Sequence, residues 1–70
     1  MSTFKERLLV EKQELDDKKS KLDNFIGGDI FPTTDTIQQS LLLIQSQIMG
    51  AYSQCLQERI VWLEKEVTSN

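Results

Sequence analysis

The sequence predicts an all-α protein, an antiparallel two-helix hairpin that assembles into a compact homo-oligomer. Two long segments with helical periodicity flank a single cluster of glycine and proline. The second segment carries more apolar surface than one partner helix covers. The chain has only 70 residues, one cysteine and no histidine. A chain of this length buries only about 60% of its unfolded surface, so self-association is the favoured source of stability.

The first helix is predicted over about residues 3–26. Thr3 and Glu6 have the spacing of an N-terminal capping box, in which each side chain meets a backbone N–H. Two columns with a seven-residue repeat predict the seam that faces a partner helix. One column is Leu8, Leu15 and Leu22, and the other is Phe4, Glu11, Lys18 and Phe25. Gly27 and Gly28 then predict a helix end, since glycine accepts the left-handed conformation of a C-cap.

The turn is predicted over residues 27–35 and the second helix over about residues 36–67. Pro32 fixes its own φ and favours an extended conformation for Phe31. Asp35 and Gln38 repeat the capping-box spacing at the start of the second helix. A turn of this length reverses the chain, so residues 1–70 form one hairpin domain, with room for a short helical segment at the N terminus.

The second helix has two adjacent apolar flanks. The first flank comprises Ile37, Leu41, Ile44, Ile48, Ala51, Cys55 and Trp62, and the second comprises Leu42, Met49, Leu56, Ile60 and Leu63. Together they span roughly half the helix circumference. Helix 1 covers one flank only, so other copies of the chain are expected to cover the other. On this reading Cys55 is a packed, inert thiol and Trp62 is a core or interface residue.

Composition excludes several classes of function. The formal charge of −3 argues against sequence-independent DNA binding, although a few focused cations can still hold a small anion. Without histidine there is no Ser–His–Asp or Cys–His catalysis, and one thiol makes neither a disulfide nor a zinc site. We therefore expect no enzymatic activity, no cofactor and no metal. The longest apolar run is Leu41–Ile44, far short of a membrane span, and an intracellular protein is expected.

Polar residues interrupt both predicted apolar faces. Gln45, Tyr52 and Arg59 follow each other at seven-residue intervals on helix 2, and Glu11 and Lys18 lie in the seam of helix 1. One interpretation is internal pairing, with Arg59 against a carboxylate and Gln45 setting the register. The other is a pocket between helices, in which an aromatic ring stacks on a base and a guanidinium grips phosphate.

The two helices together resemble a known family. Helix 1 reads Phe4-x2-Arg7-x3-Glu11-x3-Leu15-x2-Lys18-x3-Leu22-x2-Phe25, and helix 2 reads Gln45-x3-Met49-x2-Tyr52-x3-Leu56-x2-Arg59, preceded by Ser40-Leu41-Leu42. Over roughly residues 4–63 this pattern is similar to the small helical-hairpin phage proteins that include the anti-CBASS cyclic-oligonucleotide sponges. The resemblance implies a compact homohexamer in the host cell cytoplasm. It also implies that the protein binds cyclic dinucleotides and cyclic trinucleotides without cleaving them, so that the host effector stays inactive.

The resemblance also implies site residues. Phe4 corresponds to the aromatic residue that stacks on a base of a cyclic dinucleotide, and Lys18 or Lys19 to a phosphate contact of the same pocket. Arg59, with Tyr52 nearby, corresponds to a separate trinucleotide pocket where three protomers meet, and Arg7 is a candidate for either. Phe4 lacks the hydroxyl of a tyrosine, so it offers stacking alone. On pattern alone, Lys18 and Lys19 stand among acidic residues and read as part of a solvated face.

A structural or adaptor protein is the alternative function. The wide apolar arc would then dock on a helix of a host protein and inhibit it. Size in solution distinguishes the two hypotheses, because the sponge requires a stable oligomer.

Overall fold

Two antiparallel helices form the whole described fold. The computed structural model describes residues 3–68, with side chains described as far as residue 65. Helix α1 is Phe4–Ile26, helix α2 is Thr36–Thr68, and a short 3₁₀ helix, Phe31–Thr33, lies in the turn between them. A separate helical segment before α1 would fall on residues 1–2, outside the described residues. Neither helix, over its described length, is both long and apolar enough to cross a membrane.

Helix α1 has the predicted start and end but not the predicted end geometry. The Thr3 hydroxyl accepts the N–H of Glu6 at 3.1 Å, and the Glu6 carboxylate accepts the N–H of Thr3 at 3.2 Å. This confirms the capping box. Gly27 ends the helix with φ of −81° and ψ of −1°, so the predicted left-handed C-cap is wrong. The chain instead leaves in a right-handed turn, in which the N–H of Gly28 donates to the Phe25 carbonyl at 3.1 Å.

The turn contains a helical element that the sequence does not predict. Phe31 was expected to be extended before Pro32, yet both lie in the 3₁₀ helix. Proline near the start of a helix costs no hydrogen bond, because the first N–H groups have no partner in the helix. The hydroxyl of Thr34 donates to the Phe31 carbonyl at 2.7 Å, and the Phe31 ring meets Phe25 edge-to-face at 6.3 Å. These contacts hold Phe31 in the turn conformation.

Helix α2 begins where it was predicted to begin. The Asp35 carboxylate accepts the N–H of Ile37 at 2.8 Å, which satisfies one of the free donors at the helix start. The side-chain amide that braces the turn is that of Gln39, which donates to the Thr34 carbonyl at 2.8 Å.

One flank of α2 packs on α1 and the other is exposed. The buried apolar side chains among the described residues are Leu8, Leu56 and Ile60, with Leu15 and Leu63 packed against them. This confirms the division of α2 into two flanks. The exposed flank includes Cys55, so the prediction of a packed thiol is wrong for a single chain. The large exposed side chains of this flank are Ile37, Leu41, Ile44, Ile48 and Trp62.

The second column of the α1 seam differs from the prediction. Phe4, Glu11, Lys18 and Phe25 are exposed, and the half-buried column lies one residue further along, at Lys5, Lys12, Lys19 and Ile26. Lysine stems pack along apolar surface while the amine stays in water, so these lysines cover α2 at little cost. The Lys19 stem crosses α2 at Gly50, where a Cβ atom would lie 3.2 Å from the Lys19 Cε. A bare backbone at Gly50 therefore makes room for Lys19.

Two of the half-buried lysines, Lys12 and Lys19, belong to a polar network along one side of the hairpin. We call this side the serine edge and define it as Lys12, Asp16, Lys19, Asp23, Ser46 and Ser53. Lys12 contacts Asp16 at 2.7 Å and Lys19 contacts Asp23 at 2.6 Å, each four residues apart on α1. From α2, Ser53 donates to Asp16 and Ser46 donates to Asp23.

These contacts fix the register of the two helices and lower the pKa of two carboxyl groups. The lysine hydrogen bond is the main cause that lowers the pKa of Asp16 and Asp23, and the serine hydrogen bond adds to it. The set of one lysine, one aspartate and one serine occurs twice, seven residues apart on both helices. Sliding one helix past the other would therefore break both sets of contacts together.

Candidate ligand-binding cleft

An open cleft lies between the start of α1 and the last turns of α2. It encloses about 190 Å³ and is lined by Phe4, Leu8, Arg59, Trp62 and Leu63. Leu8 is buried, and Leu63 packs against the core, so the floor is apolar and firmly held. Phe4 and Trp62 keep 56% and 59% of their surface exposed, which leaves both aromatic rings accessible at the rim.

Each aromatic ring of the cleft carries a cation on its face. The Arg59 guanidinium carbon lies 5.6 Å from the centre of the Phe4 ring. The Lys65 amine lies 4.7 Å from the centre of the Trp62 ring. Such contacts attract the cation without neutralising its charge. The cleft therefore presents flat apolar surface and positive charge side by side.

Arg59 has no carboxylate partner among the described residues. The described ion pairs are Lys5–Glu64, Lys12–Asp16 and Lys19–Asp23. Of the two interpretations of Arg59, pairing with a carboxylate is thus not observed here, and the guanidinium rests on Phe4 instead. Its planar set of donors is suited to a bidentate contact with a phosphate or carboxylate.

Tyr52 lies two helical turns from Arg59 and has an internal partner. Its hydroxyl donates to the carboxylate of Glu11 on α1. This hydrogen bond is the main cause that raises the pKa of Tyr52, because ionising the phenol would remove the donor and place two negative charges together. We define the aromatic edge as Phe4, Glu11, Tyr52, Arg59 and Trp62, on the side of the hairpin opposite the serine edge.

The structure brings together two site residues that were expected in different pockets. Phe4 and Arg59 share one cleft, although the resemblance assigned them to a dinucleotide and a trinucleotide pocket respectively. Arg7 is exposed one helical turn beyond Phe4. Lys18 and Lys19 lie fourteen and fifteen residues along α1 from Phe4, at least about 20 Å away. Lys19 is held by Asp23, while Lys18 is exposed. Within one chain neither lysine lines the cleft.

Trp62 is the aromatic lining residue that was not predicted from the sequence as a binding residue. It was assigned to the core or an interface, yet it stands at the rim of the cleft. Its position three residues after Arg59 was the available signal, because residues three apart lie on the same side of a helix.

Residues 2–61 of the chain match the Sequestin family. The match covers most of the chain and includes every lining residue of the cleft except Trp62 and Leu63, so the chain belongs to the Sequestin family. It agrees with the resemblance to sponge proteins found in the sequence, and the family name itself indicates a sequestering function. No curated protein and no solved structure matches the chain.

Proposed function

We propose that this member of the Sequestin family is a phage anti-defence sponge, which binds cyclic di- and trinucleotide messengers in the host cell cytoplasm and holds them without cleavage. The observation that carries the proposal is the single cleft that combines Phe4, Trp62 and the guanidinium of Arg59. Removal of the messenger from solution would leave the CBASS effector of the host inactive.

The chemistry of the cleft matches one nucleotide unit. A nucleobase is a flat aromatic surface that stacks on Phe4 or Trp62, and such stacking contributes about 1–3 kcal/mol per base. The phosphate is an anion whose oxygens accept from Arg59 in bidentate fashion. A guanidinium already positioned over an aromatic ring needs little rearrangement to do so.

The size of the cleft supports a site shared between chains. At about 190 Å³ it is smaller than the roughly 300–1,000 Å³ of a pocket that encloses a whole drug-sized ligand. One chain therefore covers one nucleotide unit, and a cyclic messenger needs clefts from two or three copies. We propose a homo-oligomer on this ground, with the hexamer implied by the family resemblance as the expected size.

The lining of the cleft supports binding without hydrolysis. Its members are two aromatic residues, two leucines and one arginine. An arginine stays protonated and does not act as a general base, and the other four side chains carry no titratable group. Storage of the ligand is the function that this lining favours.

Trp62 provides a direct test, because it is the only tryptophan of the chain. Titration with cyclic di- and trinucleotides should change Trp62 fluorescence, and calorimetry should give one half or one third of a ligand per chain. Ligand binding should also raise the melting temperature, because only the native state binds. The ligand should be recovered intact after denaturation of the protein.

The control for this titration is a linear mononucleotide, which should bind far more weakly because it engages only one cleft. Unchanged fluorescence and an unchanged melting curve with a panel of cyclic di- and trinucleotides in large excess would refute the proposal.

The exposed flank of α2 favours a second candidate, an adaptor that docks on a helix of a host protein. Its apolar side chains, such as Ile44 and Ile48, suit a helix-in-groove contact. A chain that is monomeric at micromolar concentration and binds no cyclic nucleotide would support this candidate instead.

A further inference from the structure

We infer that Glu11 is a further binding residue of the ligand site and accepts a hydrogen bond from a ribose 2′-hydroxyl of the messenger. The protein therefore selects ribonucleotide messengers over their 2′-deoxy counterparts. This inference rests on the proposed function, because it gives a partner on the ligand to a carboxylate beside the cleft. Glu11 takes no part in the stacking and phosphate contacts of that function.

Glu11 and Arg59 lie near each other on the aromatic edge. Glu11 is seven residues after Phe4 on α1, and Arg59 is seven residues after Tyr52 on α2. The contact of Tyr52 with Glu11 therefore lies two turns, or about 10 Å, from the contact of Arg59 with Phe4. The hydrogen bond to Glu11 is the main cause that raises the pKa of Tyr52, and the charge of Arg59 partly opposes it. The charge of Arg59 thus acts on the hydroxyl that binds Glu11.

The Glu11 carboxylate has acceptor capacity that the described chain leaves unused. A carboxylate offers about four acceptor positions on its two oxygens, and the Tyr52 hydroxyl fills one of them. The described ion pairs all involve other carboxylates. Glu11 is exposed, so a ligand can reach the remaining positions. Tyr52 holds the carboxylate in place for that contact.

A carboxylate beside an anion site favours ligands that bring it a hydrogen-bond donor. The charge of Glu11 repels a phosphate bound at Arg59, and this repulsion lowers the affinity for a ligand without such a donor. A ligand hydroxyl that donates to the carboxylate makes the same contact a favourable, charge-assisted hydrogen bond. Glu11 therefore discriminates between ligands more strongly than an uncharged side chain would.

The distance between the two contacts suits a phosphate and the sugar attached to it. Of the separation of about 10 Å, two hydrogen bonds of about 2.8 Å account for more than half. The remainder of about 4 Å is the span of a few covalent bonds. A nucleotide whose phosphate accepts from Arg59 therefore brings its own ribose to Glu11.

The 2′-hydroxyl is the donor of the ligand that lies nearest to this phosphate. In a 3′–5′ linkage it is attached to the carbon next to the one that carries the phosphate ester. The amino groups of the bases lie at the far edge of the rings that stack on Phe4 or Trp62. Acidic side chains bind ribose hydroxyls in dinucleotide-binding folds, and the 2′-hydroxyl is the group by which proteins distinguish RNA from DNA.

Comparison of ribose and deoxyribose ligands tests the inference. The probes are cyclic diadenylate, cyclic diguanylate and cyclic triadenylate with 3′–5′ linkages, each paired with its 2′-deoxy counterpart. Calorimetric titration of the wild type should give a dissociation constant about 10- to 100-fold lower for each ribose form than for its counterpart. This ratio should be similar for adenine and guanine, because the sugar makes the contact.

Two variants separate the ligand contact from the contact within the hairpin. E11M and Y52F both remove the hydrogen bond between the helices, but only E11M removes the carboxylate. E11M should reduce the ratio to within about threefold and bind the deoxy forms at least as tightly as the wild type does. Y52F should keep a ratio of at least about 10-fold, because both carboxylate oxygens remain. The matched control E14M, on an exposed glutamate outside the aromatic edge, should behave like the wild type.

The inference is overturned if the wild type binds both sugar forms equally, or if E11M keeps the wild-type ratio. A loss of the ratio in E14M or Y52F as complete as in E11M would overturn it as well. Failure of the proposed function gives a different result, in which no probe of either sugar binds, and the inference then falls with it. Circular dichroism checks that each variant is helical. If E11M is not, E11Q, which keeps an acceptor for Tyr52, replaces it and should also lower the ratio.

Discussion

The serine edge and the aromatic edge run along opposite sides of the same hairpin and use their charges differently. On the serine edge each aspartate is bound by a lysine of its own helix and a serine of the other, so charge and hydrogen-bonding capacity are matched inside the chain. On the aromatic edge Arg59 lies on a ring and retains its donors. The difference separates a side that holds two helices in register from a side that we propose binds an anion.

Removal of Arg59 should produce the largest effect, a loss of ligand affinity that removal of a cation from the serine edge does not cause. R59A should weaken binding of cyclic nucleotides at least about 100-fold, because a charged hydrogen bond contributes about 1.5–3 kcal/mol and recurs in each chain that contacts the ligand. K12A removes one cation from the serine edge and should leave affinity within about threefold of the wild type. Calorimetric titration of both variants measures the effect. If R59A bound like the wild type, the aromatic edge would not be the anion site.

Removal of both serines tests the opposite edge. The double variant S46A/S53A should lower the melting temperature by several degrees, since each aspartate loses its link to α2. S40A changes an exposed serine on the same helix and should have almost no effect. Thermal denaturation followed by circular dichroism checks both. Equal melting temperatures for S46A/S53A and S40A would show that the serine contacts do not contribute to stability.

Acid should weaken the contacts of Asp16 and Asp23 on the serine edge. The pKa of Asp16 and Asp23 is lowered by folding, so their contribution to stability is present above the unfolded value of 3.8. It is lost as the pH falls through the lower folded values. Wild type should therefore lose stability below about pH 4 more steeply than D16N/D23N, which has no carboxylates to protonate there. Denaturant unfolding at a series of pH values gives the two slopes, and parallel slopes would contradict the assignment.

Alkali should produce the smallest effect, through Tyr52 of the aromatic edge. Folding raises the pKa of Tyr52 above 10.0, so its contribution to stability is complete below pH 10 and is lost as the pH rises through the folded value. Tyr52 is the only tyrosine, so the ultraviolet absorbance of tyrosinate reports this titration directly. E11Q should bring the midpoint back towards 10, whereas E14Q, on an exposed side chain, should not. An unshifted midpoint in the wild type would contradict the hydrogen bond between Tyr52 and Glu11.

The bounds of both helices follow from local signals that are strong in this sequence, whereas the 3₁₀ helix Phe31–Thr33 in the turn does not. Thr3 and Glu6 mark one start, Asp35 the other, and Gly27 one end, because capping depends on residues within a single turn. The division of α2 into a flank on α1 and an exposed flank also follows, since periodicity sets which residues share a side. Trp62 and Cys55 mark the limit of this prediction. Periodicity shows which side of the helix an apolar residue lies on, but it does not show whether that side is covered within one chain.

The side chains of the contact between helices are harder to predict. Phe4 and Phe25 look like seam residues, and Lys5, Lys12 and Lys19 do not, yet the lysines are the ones that α2 covers. Which column of side chains is covered by the other helix depends on a rotation of each helix about its axis by one residue. Contacts with residues distant in sequence, such as Ser46 and Ser53, set that rotation. The cleft was predicted only in part for the same reason. Phe4 and Arg59 were each predicted as binding residues but in different pockets, and the register of the helices places the Arg59 guanidinium over the Phe4 ring.

The repeat along the serine edge also means that the hairpin consists of structural units of equal length. One unit is seven residues of α1 with a lysine and an aspartate, and seven residues of α2 with a serine. Insertion of one unit into each arm would add about 10 Å to the hairpin and leave the order of faces around both helices nearly unchanged. The distance between the turn and the cleft could therefore be changed in steps of seven residues, with the contacts at each end kept as they are.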